Sequence, residues 1–124
     1  MENIENSNIP LNLTYLKEMV GDNAEFIIEI LDVFTDQTPI FMKDMETALA
    51  IEDWAKVGDM AHKIKPTLTY IGRDDLKDYA HDLEYKARNL ISLESLPYQV
   101  ALFKQYLEEV YEQIFKTKAI LLAN

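Results

Sequence analysis

Apolar residues recur along this chain at alternating spacings of three and four, and no stretch alternates with period two. That spacing marks helices with one buried stripe. Residues 54–71 place Trp54, Val57, Ala61, Ile64, Leu68 and Ile71 on such a stripe. Residues 76–90 repeat it with Leu76, Ala80, Leu83, Ala87 and Leu90, and the last block does so with Val100, Phe103, Leu107, Val110, Ile114 and Leu121. An earlier, longer block carries Phe26, Ile27, Ile30, Leu31, Phe34, Phe41, Met45 and Leu49.

Turn and cap residues punctuate the blocks. Asn12 can cap a short helix over 13–20 that closes at Gly21. Asp22 followed by Glu25 has the form of a capping box for the long helix, which Pro39 should kink or interrupt. Asp53 can cap the next helix, Gly72 stops it, Asp74 starts another, and 92–97 is a connection. The predicted fold is all-α: an antiparallel four-helix bundle with an additional short N-terminal helix. Residues 1–10 read as a flexible lead-in, and 11–124 as one helical domain.

Composition narrows the chemistry. With 48% apolar residues the chain can bury a core, and three Gly and four Pro favour long helices. The absence of Cys excludes disulfides, zinc–thiolate sites and thiol nucleophiles, and fits a reducing, cytoplasmic setting. No apolar run reaches the 20 or so residues that a membrane helix needs, and the N-terminus lacks the basic and apolar regions of a signal peptide. A net charge of −10 argues against nucleic acid and favours a protein partner.

Against that background His62 stands out. At 100° per residue it lies about 130° from the centre of the 54–71 stripe, so its imidazole should face solvent. Lys65 follows one turn later on the same side. Neutral imidazole is a good nucleophile near pH 7, because it titrates near pH 6.5. A lysine within reach can offset the charge of a phosphoryl group. Gly58, Asp59, Pro66 and Thr69 share the face and are candidates for partner docking, with Gly58, Pro66 and Thr69 small enough to let a second protein close over the ring. The bland alternatives are a solvated His–Lys surface, an Asp59 paired with His62 or Lys63, a Lys63 that is simply solvated, and a His81 that is a boundary residue beside Ala80. His62 and His81 alone cannot complete a metal site, and no Gly-rich loop is present to hold a nucleotide.

The run Ala61-His62-Lys63-Ile64-Lys65-Pro66-Thr67, then Gly72, Leu76 and Leu83-Glu84, resembles the histidine-containing phosphotransfer (HPt) domain, whose pattern reads A-H-x-[LI]-K-[GP]-[ST]-x4-G-x3-L followed by L-E. The resemblance implies a four-helix bundle whose exposed histidine shuttles phosphate between receiver-domain aspartates. It makes His62 the phosphoacceptor and Lys65 the residue that steadies the phosphoryl group. Thr67 matches the small hydroxyl position, and Gly72 the glycine that closes the active helix. No cofactor is implied, since magnesium is expected only on the partner receiver, and the chain should be a monomeric phosphocarrier with no ATP-dependent kinase activity. Pro66 stands where many relatives have Gly. It removes the N–H that would meet the His62 carbonyl, so a slight bend is expected there. The competing function is an acidic helical adaptor that binds a signalling partner without phosphotransfer. A domain within a larger hybrid kinase is also compatible, although Met1 and the lead-in lean towards a free-standing protein.

Overall fold

The computed structural model describes residues 9–123. Among these residues there are only helices: α1 (Thr14–Val20), α2 (Ala24–Ala50), α3 (Trp54–Tyr70), α4 (Asp74–Asn89) and α5 (Leu96–Ala123), with a single 3-10 turn at Leu93–Ser95 leading into α5. Most of the expected lead-in falls outside the described residues. At its described end the Ile9 carbonyl accepts a hydrogen bond from Gln113 Nε2 at 2.6 Å.

The four long helices close a ring in which α3 packs on α4, α4 on α5, α5 on α2 and α2 on α3, while α1 docks against α2. Short connections force each helix to run antiparallel to the one before it. The core between them holds the anticipated Val57, Ala61, Ile64 and Leu68 of α3, Leu76, Ala80, Leu83 and Ala87 of α4, and Val100, Phe103, Leu107, Val110 and Ile114 of α5. No helix among the described residues is long and apolar enough to cross a membrane.

Several local expectations are corrected. Asn23, not Asp22, caps α2, its side-chain oxygen accepting from the N–H groups of Glu25 and Phe26. Phe26 is exposed, and Thr38, Met42 and Ala48 complete the buried face of α2 instead. Pro39 does not interrupt α2, which is continuous through it. Pro39 lies on the exposed side, where water can satisfy the carbonyl it orphans. The helix of α3 likewise continues through Pro66. Leu90 is not on the core stripe, because α4 ends one residue earlier and turns it outward.

Gly72 shows how tightly the end of α3 is built. The Gly72 N–H donates to the Thr69 carbonyl and the Arg73 N–H to the Leu68 carbonyl, the paired bonds of a Schellman stop. Gly72 has φ +78°, and a Cβ there would lie 2.4 Å from the Asn12 carbonyl oxygen. The Asn12 N–H in turn donates to the Ile71 carbonyl, so this turn also moors the chain entering α1. Arg73 is buried, and its guanidinium pairs with Asp75 and reaches Gln113 of α5. Among the described residues, three non-glycine residues also have positive φ: Glu52, Leu90 and Ser92. All three lie at the end of the bundle where α2 passes to α3 and α4 to α5. A left-handed non-glycine residue costs about 1–2 kcal/mol.

Gly21 also has a positive φ, +80°, but its ψ of −176° puts it in the extended region that only glycine occupies, with nothing within 4 Å of an added Cβ. We expect Gly21→Ala to lower stability by about 1–3 kcal/mol, the backbone term alone. Gly72→Ala should cost more than about 3 kcal/mol, since the Asn12 backbone must also move. Urea denaturation of the two variants measures the difference.

Candidate phosphotransfer site

His62 lies in the middle of α3, on the side turned towards α4, with 60% of its side chain exposed. The exposure expected from helical phase is therefore present. Across the α3–α4 seam the ring meets Glu84, the Nδ1–Oε2 distance being 3.0 Å. The other oxygen of Glu84, Oε1, is 2.6 Å from Lys65 Nζ, and Arg88 Nε is 3.2 Å from Oε2. Glu84 is only 10% exposed, and three basic side chains surround it.

The protonation pattern follows from these contacts. Burial pushes the Glu84 carboxyl up, but the close contact and charge of Lys65, with His62 and Arg88, outweigh it and hold the group below the usual carboxylate range. An ionised carboxylate can only accept, so the hydrogen in the 3.0 Å contact belongs to His62 Nδ1. Nε2 of the neutral ring then carries a lone pair, and Nδ1 is the nitrogen held within the protein.

Lys65 is more constrained than its exposed neighbour, with 18% of its side chain accessible. Its ammonium also lies 3.0 Å from His81 Nδ1. An ammonium only donates, so His81 Nδ1 accepts and the His81 hydrogen sits on Nε2. Lys65 Nζ is thus held between Glu84 and His81, its contact with Glu84 Oε1 being an ion pair without hydrogen-bond geometry. His81, expected to be a boundary residue, thus touches the site through Lys65.

The face around His62 differs in detail from the sequence expectation. Asp59 pairs with Arg88 Nη2 at 3.1 Å, not with His62 or Lys63. Gly58 is buried: a Cβ there would lie 2.8 Å from Arg88 Cγ, so the space it leaves is filled from within the chain and not kept open for a partner. Pro66 is exposed, and Thr67 and Thr69 are half-buried. Lys63 is not merely solvated, since its Nζ lies over the Phe41 ring at 5.5 Å from the centroid. Glu84 and Arg88 are the site residues that residue-by-residue reasoning missed. Glu84 was visible only as part of the Leu83-Glu84 pair. Its separation of 22 residues from His62 becomes a contact only once α3 and α4 are paired.

The family model described as the Hpt domain matches residues 29–113, which span α3, α4 and most of α2 and α5. The chain belongs to the Hpt domain family. Hpt proteins are histidine phosphotransfer components of phosphorelays, phosphocarriers that interact with response-regulator receiver domains. Among solved structures the fold resembles histidine-containing phosphotransfer protein B of Pseudomonas aeruginosa PAO1. That similarity has a TM-score of 0.79 at 21% identity and covers 90% of this chain and 96% of the other. Among curated proteins no match was found.

Two measurements check the Hpt site as described. Nitrogen NMR at pH 8 should find His62 protonated at Nδ1 and bare at Nε2, and Glu84→Ala should reduce the Nδ1–H population. The second concerns stability. The Glu84 carboxyl is lowered in the folded chain, so its contribution is fully present above the ordinary carboxylate range and is lost as pH falls through the folded value. The stability gap between the parent protein and Glu84→Gln should therefore narrow between about pH 6 and about pH 3. A gap that is constant or widens on acidification contradicts the paired, ionised Glu84.

Proposed function

We propose that this Hpt protein is a phosphorelay intermediate that takes a phosphoryl group on His62 Nε2 from a receiver-domain aspartate and passes it to the aspartate of another receiver. The observation that carries this reading is the Glu84 contact: it commits the hydrogen to Nδ1 and leaves the nucleophilic lone pair on Nε2 of a ring that is 60% exposed.

The chemistry is an in-line displacement. The Nε2 lone pair attacks phosphorus, the phosphorus–oxygen bond to the aspartate breaks, and the electron pair leaves on the aspartate carboxylate. The ring becomes a phosphoimidazolium whose positive charge lies beside the Glu84 carboxylate. Nδ1 keeps its hydrogen, so no proton need be removed, and the phosphorus–nitrogen bond stays labile for the reverse step towards a second aspartate. Lys65 offers its ammonium to a phosphoryl oxygen while it stays beside Glu84 and His81. Asp59, Pro66 and Thr69 lie on the face that a receiver would cover, and any magnesium would belong to that receiver.

Incubation with phosphorylated receiver domains should label the protein with acid-labile, base-stable phosphate, and His62→Gln should abolish the label. Lys65→Ala should fold normally and transfer about 10–100-fold more slowly, a loss of roughly 1.4–2.8 kcal/mol in the transition state. An unlabelled parent protein across a broad receiver panel would leave the adaptor role in its place. Unchanged kinetics in Lys65→Ala would remove Lys65 from the mechanism.

A further inference from the structure

Leu90 combines two unfavourable features. Its backbone is left-handed, with φ 55° and ψ 45°, at the end of α4 where Lys86 accepts the closing N–H bonds of Leu90 and Ile91. Glycine is the residue that such a helix stop favours. Its side chain gains nothing from the core in return, being 63% exposed. Other apolar side chains are exposed, among them Phe26, Val33 and Ile40 of α2 and Phe115 and Leu122 of α5, but none of these has a positive φ.

The position of Leu90 suggests what the side chain is for. It lines a shallow hollow of ≈ 280 Å³ together with Ala55, Asp59, Ala87 and Arg88. Arg88 forms one wall and also contacts Glu84, so the hollow and the histidine site share a side chain. Ala55 precedes His62 by seven residues of α3, an axial distance of about 10 Å. A protein interface of ordinary size covers about 800 Å² per partner, a disc of roughly 16 Å radius. A receiver centred on His62 would therefore reach this hollow.

We propose that the hollow between α3 and the end of α4, rimmed by Leu90, is a docking pocket for an apolar side chain of the receiver domain that exchanges phosphate with His62. This rests on the relay reading above. The occupant is an aliphatic or aromatic anchor, because Leu90, Ala55, Ala87 and the Arg88 stem supply apolar contact while Asp59 already holds the Arg88 charge. Leu90 acts on recognition alone and touches no reacting atom.

Leu90→Gly and Leu90→Asn both suit a left-handed backbone, so each removes the apolar side chain without strain. Each should melt at or above the parent temperature. Phosphorylation of His62 by phosphoramidate, a small donor that needs no docking, should be unchanged. Transfer from a phosphorylated receiver that labels the parent protein should show a KM raised about tenfold at nearly constant kcat. A KM unchanged in both variants overturns the docking pocket while leaving the relay intact. Equal losses with receiver and phosphoramidate would mean that Leu90 acts through the site's structure, and would also overturn it. A parent protein labelled by no receiver overturns the relay reading and this inference together.

Discussion

Glu84 enters the α3–α4 seam at a depth where an unpaired carboxylate would cost several kcal/mol. Three basic side chains from two helices make that depth tolerable. His62 and Lys65 reach it from α3, and Arg88 from the next turn of α4. The cost of burial and the precision of the site are thus the same fact. A carboxylate that must be paired will hold its partners, and it fixes which nitrogen of His62 carries the hydrogen. The rest of the bundle serves this seam. The core stripes of α3 and α4 set the register that brings residues 62 and 84 opposite each other. The Gly72 stop fixes the short turn that sets this register.

The two prolines show how a rule about single residues yields to context. Each removes one helical hydrogen bond, and α2 and α3 nevertheless run through them. Pro39 and Pro66 both lie on exposed faces, where a freed carbonyl can be hydrated. A proline on the buried side of either helix would have left that carbonyl without water. At position 66 the residue also keeps a long side chain away from the imidazole one turn before it.

What could be read from the sequence follows the range of the interactions. The exposure of His62 is a property of one helix, and its phase against Val57, Ala61, Ile64 and Leu68 was sufficient. The cap at Asp53 and the stop at Gly72 are local and were legible too. Asn23 displaced Asp22 because both residues can cap and only the backbone path decides between them. Glu84, Arg88 and His81 join the site across the seam, and helical periodicity does not say which residues of two helices meet. Glu84 also reads as an ordinary charged position on α4, since its burial comes from neighbours on α3. Leu90 failed for a different reason: its spacing fits the stripe, but the helix had already ended.

The charges around His62 bear on direction. In the resting site Lys65 and Arg88 are paired with Glu84 and Asp59. The chain as a whole is strongly acidic, with a net charge of −10, whereas at the seam each carboxylate faces a cation. On the relay reading, a face whose carboxylates are paired with cations would repel an acidic receiver less than the net charge of the chain alone would. On the proposed relay reading, the positive phosphoimidazolium ring would offset part of the phosphoryl charge, and Lys65, already shared with Glu84 and His81, would lend it only part of its own. Such a site would steady a phosphoryl group without trapping it. A stronger cation cluster would hold the phosphate as a sink. Reversible exchange between two aspartates, as proposed, would need the modest balance that Glu84 sets, in which the same carboxylate that orients the His62 ring would also limit how tightly the product is kept.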